Sequence, residues 1–318
     1  MSQAALRRSI GKTPLTRRIV RALRQYWPLY AMIIPGLLYF LVYKYIPMFG
    51  IHIAFKNFSL KKGIAGSPWL WNDGKEWYYW FERFFKSPAN TQIIGNTLVI
   101  SIGKLIVQMI PPLIFALAIS ETCFKRYARV IQTVSYLPHF LSWVIISGIT
   151  MRLFATNDGI VNKLLGTQIP FMGTDTNWRA SYIILGIWKE CGWNTIIYLA
   201  ALTGINPELY EAAEVDGASR WRKIWHITLP GIRSTIIVLL IMNLGHILGS
   251  EFDRPFTLRN KMVSDAYKTI SIFVYERGVK GGQFSLSTAV GLFQSVVCVI
   301  FLLLSNTLAK RFGERGIW

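Results

Sequence analysis

The chain has 318 residues, 52% of them hydrophobic and only 16% charged, with a mean hydropathy of +0.35. A soluble domain carries charge on about a quarter of its residues, so this composition argues against an ordinary soluble domain and for a membrane protein. The net charge of +19 does not call for nucleic acid as a partner, because the bases mostly flank apolar runs, as they do where charge sets the orientation of a membrane protein. Cys123, Cys191 and Cys298 are odd in number and far apart, so no disulfide framework is expected, and the four histidines show no metal-ligand spacing.

Residues 1–27 form a basic tail with seven Lys or Arg and no acid. The run WPLYAMIIPGLLYFLVYKYIPMFG follows, from Trp27 to Gly50. At about 1.5 Å per residue, roughly 20 residues cross the hydrocarbon core. The run is too long for a signal-peptide core and no small-residue cleavage site follows it, so it is expected to be an uncleaved first span over 28–49. Further spans are expected over 93–119, 130–153, 179–203, 232–250 and 286–309, making one transmembrane domain over 28–309 and a short tail at 310–318. An even number of spans puts both termini on one side. The segments placed inside hold 17 Lys or Arg in 76 residues, against 15 in 106 outside, which is the sign expected for cytoplasmic termini. The outer stretch 61–90 is crowded with Trp, Tyr and Phe, as in an interfacial aromatic belt or a contact surface for an external partner.

Several spans carry a polar face. Charge at membrane depth is costly and usually faces a bundle interior or a water-filled cavity. In the second span Thr97, Ser101, Lys104 and Gln108 share one face, and Pro111-Pro112 should bend the helix just beyond them. The fourth holds Trp188, Lys189, Glu190, Trp193 and Asn194, a mixture suited to a sugar, whose C–H faces stack on indoles while its hydroxyls take polar groups. The fifth aligns Asn243, His246 and Ser250, and the sixth Ser287, Gly291, Gln294 and Cys298. Isolated Ser, Thr and Asn are as well explained by hydrogen bonds between helices. Lys104 and the Lys189/Glu190 group are the stronger candidates for a substrate path, which would also take in Gln108, Asn243, His246 and Gln294. Two lysines at that depth would suit an acidic cargo, unless Glu190 neutralises Lys189 or Lys104 pairs with a partner subunit.

Between the fourth and fifth spans, over 204–233, lies a polar loop, NPELYEAAEVDGASRWRKIWHITLP. Asn206 and Pro207 start a helix, an acid sits in its first turn, and Gly217 can close it in the left-handed conformation. A second helical piece ends at Leu229-Pro230. An amphipathic helix at the headgroups would explain WRKIW. The spacing carries more: Glu211-Ala212-Ala213, three residues, Gly217, nine residues, then Ile227-x-Leu229-Pro230. This resembles the EAA loop of permease subunits in binding-protein-dependent ABC importers. YAMIIPGLLYFLVYKYIPMFGIHIAFKNF, NTIIYLAALTGINPELYEAAEVDGAS and LAKRFGERGIW are similar to the LplB-like branch for oligo- and polysaccharides, which includes alginate-type permeases.

The resemblance implies an all-α, six-span, type I importer fold with a MetI-like core in a bacterial cytoplasmic membrane. It implies a second related permease, two ATPase subunits and an extracytoplasmic solute-binding protein. The EAA loop would dock in the ATPase, and ATP and Mg would be bound there, not by this chain. HILGSEFDRPFTL departs from the branch, with Glu251, Asp253 and Arg254 where apolar residues are expected. The chain has no GxxxxGK[ST] phosphate cradle. A membrane-embedded glycosyl or lipid transferase, which would need clustered carboxylates or a metal site, and a secondary transporter, which would need no ATPase, are the alternatives.

Overall fold

The computed structural model describes residues 24–121, 125–249, 251–263, 265–314, 316 and 317. Most of the basic tail expected at 1–27, with Cys123 and Ser250, lies outside the described residues. The main helices are α1 (Trp27–Phe40), α2 (Tyr79–Phe85), α3 (Pro88–Ser120), α4 (Lys125–Tyr136), α5 (Trp143–Leu153), α6 (Asp175–Leu202), α7 (Glu208–Val215), α8 (Arg220–Lys223), α9 (Leu229–Leu244), α10 (Asp253–Thr257), α11 (Ile270–Val274) and α12 (Phe284–Arg311). The chain divides into two units, 1–52 and 53–318. In the first, α1 leads into a π-helical turn at Leu41–Tyr45, and its helical residues are almost all exposed and apolar.

The second unit is built on the pair α3 and α6. Three apolar clusters hold it together. Trp178, Tyr182, Leu258 and Val263 pack with Ile100. Phe84, Ile270, Phe273 and Val290 pack with Ile93. Ala116, Tyr198 and Ile232 join α3, α6 and α9. Burial of each of the larger side chains contributes about 1.5–3 kcal/mol. The buried Thr97 hydroxyl is tied to backbone: it donates to the Ile93 carbonyl at 2.7 Å and accepts from the Ile270 amide at 3.0 Å. That bond between segments is the bland reading of a polar residue in a span, and it holds for Thr97.

Among the described residues, four helical runs are long and apolar enough to cross a membrane: Trp27–Phe55, Pro88–Ser120, Arg220–Leu244 and Phe284–Arg311. A fifth is reached only when two bent pieces are taken as one span. α6 is 28 residues long, but Lys189, Glu190 and Asn194 in its middle lower its apolar character. The structure departs from the expected spans in three places. The third is not one helix over 130–153: its two pieces are bent by 96°, because Pro138 and the Ser142 cap of α5 interrupt the backbone ladder. The fifth helix ends at Leu244, short of 250. The helix before Pro230 does not stop there. A π-helical turn at Ile224–Thr228 joins α8 to α9, and such a turn accommodates the missing N–H and the bulk of the proline ring.

Candidate functional site: the polar loop and the polar interior

The loop between α6 and α9 is built by local rules. The Asn206 side chain accepts from the Glu208 amide at 3.1 Å and opens α7. Gly217 has φ of +70°, as the spacing required. The Ala218 amide donates to the Ala213 carbonyl at 2.8 Å and the Gly217 amide to the Glu214 carbonyl at 3.0 Å. That pair of bonds is the Schellman closure, which satisfies carbonyls that the helix end leaves bare. Ser219 caps α8 by accepting from the Arg222 amide. Lys223 then reaches back across the turn to Glu214 at 2.7 Å. The Lys223 hydrogen bond and charge hold the Glu214 carboxyl below the ordinary carboxylate range. Tyr210 and Thr228 are 3.0 Å apart through their hydroxyls and tie α7 to the π-turn.

Glu211, Ala212, Gly217 and Pro230 are exposed, whereas Ala213, Ile227 and Leu229 are half-buried. The exposed side includes Leu209 and Val215, which with Ala212 sit at positions i, i+3 and i+6. Residues at that spacing lie on one side of a helix, so α7 offers a small apolar strip beside the acid of the motif. Ile205 packs at Gly231 and anchors the base of the loop to the cluster of α3, α6 and α9.

The interior polar residues fall into two groups. Gln108, Asn194, Asn243 and His246 line one cavity of about 200 Å³, together with Tyr198. The Asn194 amide nitrogen and the Tyr198 hydroxyl are buried without a hydrogen-bond partner among the described residues. Buried polar atoms are nearly always satisfied, so this pair is available to a polar molecule in the cavity. Gln294 lies apart from it, bonded to the Leu248 carbonyl at 2.7 Å. Trp188 is 52% exposed and is not among the residues that line this cavity.

The second group is a chain of charges. Lys104 lies 3.3 Å from Glu251, and Glu251 lies 3.6 Å from Arg254. Arg254 is 1% exposed. It donates to the Tyr182 carbonyl and lies over the Tyr182 ring at 3.6 Å and the Trp143 ring at 4.8 Å. Gly186 makes room for it, since a Cβ there would meet the guanidinium. Lys189 is buried, 3.2 Å from Glu190 and 2.6 Å from the His139 carbonyl. Glu190 also meets His139 Nδ1 at 2.8 Å, and that imidazole stacks on Trp193 at 4.4 Å.

Of the two lysines expected on a substrate path, Lys189 is paired with Glu190, the exception that the sequence itself allowed. Lys189 is enclosed by its neighbours, and only Lys104, with a side chain 23% exposed, keeps some access. Lys104 finds its counter-charge inside this chain. Sequence reasoning singled out Glu251 and Arg254 only as departures, and it missed His139, Trp143 and Tyr182. A histidine beside Pro138 inside an apolar run is the signal that could have found the first of these.

Residues 99–314 match the family model for the binding-protein-dependent transport system inner membrane component. Among curated proteins the chain is similar to the polygalacturonan/rhamnogalacturonan transport system permease protein YteP of Bacillus subtilis. The two are 42% identical over 313 residues, covering 97% of this chain and 96% of that one. It is 43% identical to Protein LplB of the same organism over 300 residues, or 93% and 92% of the two chains. Among solved structures it resembles a chain of a bacterial alginate ABC transporter in complex with an alginate pentasaccharide-bound periplasmic protein. The TM-score is 0.83 and the identity 35%, covering 94% of this chain and 100% of that one. With family model, full-length relatives and fold in agreement, this chain belongs to the binding-protein-dependent transport system inner membrane components.

Proposed function

We propose that this chain is one permease subunit of an ATP-driven importer that brings an oligosaccharide of the uronate class across a bacterial cytoplasmic membrane. It lies in the bilayer as six spans with both termini cytoplasmic. It catalyses no reaction and binds no cofactor. ATP and Mg belong to two copies of a partner ATPase, a second related permease completes the path, and an extracytoplasmic binding protein delivers the cargo. The observation that carries this reading is the loop of α7 and α8. Its EAA spacing, its left-handed Gly217 and its exposed strip of Leu209, Ala212 and Val215 make a rigid knob at the base of α9. Glu211, Ala212, Ala213, Gly217, Ile227, Leu229 and Pro230 form the coupling element. Small alanines allow close approach to the ATPase, and Glu211 offers a charge to a basic partner.

The saccharide path runs along Gln108, Asn194, Asn243 and His246, whose amides and imidazole suit hydroxyl groups. The acidic character of the cargo is supported by the polygalacturonan and alginate in the names of the relatives and by Lys104, the accessible interior cation. A tagged chain purified from its own cell is expected to bring down an ATP-hydrolysing subunit, and the reconstituted complex to take up uronate oligomers only with ATP. A chain that isolates alone and transports without ATP would be a secondary transporter.

A further inference from the structure

The two pieces of the third span, Arg126–Phe140 and Trp143–Leu153, meet at an angle of 96°. A helix that stops within an apolar bundle leaves carbonyls without intrahelical donors, and each one left bare is costly. Here the His139 carbonyl, on the first arm, accepts from Lys189 Nζ at 2.6 Å. The same ammonium lies 5.5 Å from the centre of the Trp143 ring, the first residue of the second arm. Glu190 neutralises it at 3.2 Å and holds His139 Nδ1 at 2.8 Å. The His139 ring lies parallel to Trp193. One turn lower on the same arm, the Ser135 backbone packs so closely on Gly192 that a Cβ would collide with it. Residues 189–193 of α6 thus grip both arms of the broken span. A cation at the end of the first arm also opposes the negative end of that arm's dipole.

We propose that Lys189, Glu190 and His139 are a clamp on the break in the third span. They are positioning residues that set the angle between its arms, and they do not touch the cargo. Lys189 is 5% exposed, and its ammonium already has a carbonyl, a carboxylate and an indole face around it. Alternating access needs elements with two discrete arrangements, and a bent joint held by one small charge cluster supplies such an element. The link to transport rests on the importer reading above; the clamp itself rests on the contacts.

The test uses nitroxide pairs at Val134→Cys and Ile149→Cys, one on each arm and both exposed, with Cys123, Cys191 and Cys298 changed to Ser. In the purified complex, Lys189→Met should broaden or shift the inter-label distance, and Lys189→Arg should restore it. In vesicles, Lys189→Met should lower maximal uptake at least about tenfold while KM stays within about twofold. An unchanged distance in Lys189→Met overturns the clamp. So does a raised KM at unchanged maximal rate, which would put the ammonium on the cargo. If Lys189→Met does not insert, Glu190→Gln, of equal size, should show the same shift at smaller amplitude, and a wild-type distance there would overturn the proposal. The distance needs no transport, so a wild-type complex that imports no oligosaccharide would refute the proposed function while the clamp was still tested.

Discussion

At the scale of single residues, two glycines serve for different reasons, one for its dihedral angle and one for its small size. Gly217 sits at φ +70° and its amide closes the helix end. Proline is locked near about −65° and has no N–H, so Gly217→Pro removes both the turn and the bond. The chain should still insert, because the spans do not depend on that turn, but the knob loses its shape. Stimulated ATP hydrolysis and uptake in reconstituted vesicles are expected to fall together, and wild-type values for both would remove the loop from coupling. Gly186 matters through space instead of dihedral angle. An alanine there collides with the Arg254 guanidinium, which must leave the Tyr182 carbonyl and ring. Overpacking of this kind costs about 1–3 kcal/mol, so Gly186→Ala should lower the melting temperature of the purified complex, read by the unfolding of its intrinsic tryptophan signal.

At the scale of elements, the loop of α7 and α8 combines strong local closure with an ion pair between Lys223 and Glu214. The Glu214 carboxyl is held below its ordinary range by Lys223. A lowered carboxyl pKa adds stability that is complete above the unfolded value, about 4.3, and is lost as pH falls through the lower folded value. The loop should therefore be insensitive to pH between about 5 and 8 and loosen only in stronger acid. Amide hydrogen exchange of residues 214–223, corrected for the intrinsic pH dependence of exchange, should show the loosening in wild type, and Glu214→Gln should abolish the acid step. A step that persisted in Glu214→Gln would assign it to another group. The helix that leaves this loop stays continuous through Pro230 because a π-turn spreads the backbone there. The loop is consequently joined to one unbroken helical run from α8 to Leu244.

At the scale of the whole molecule, interior charges pair within the chain: Lys104 and Arg254 with Glu251, and Lys189 with Glu190. On the proposed function, the access left to Lys104 makes it the residue at which discrimination of an acidic cargo is to be tested. Lys104→Gln removes the charge with little change in length. Uptake of a uronate oligomer is expected to fall about tenfold, with a neutral oligomer of the same size unaffected. Equal loss for both cargoes would make Lys104 a partner of Glu251 and nothing more.

The apolar runs over Trp27–Phe55, Pro88–Ser120 and Phe284–Arg311, the left-handed glycine and the helix start at Asn206 were legible in the sequence. Each depends on composition over one span or on hydrogen bonds between residues a few positions apart, and such interactions are settled before the chain packs. Which polar residues meet was decided by tertiary structure. Gln108, Asn194 and Asn243 come from three helices, His246 lies just beyond the end of α9, and they share a cavity only because α3, α6 and α9 pack together. His139 and Glu190 are 51 residues apart, and Lys104 and Glu251 lie on different segments. A lysine in an apolar run looks the same in sequence whether it faces a cargo or a carboxylate. Desolvation forces it to find a partner, but only the packing of distant segments determines which partner is within reach.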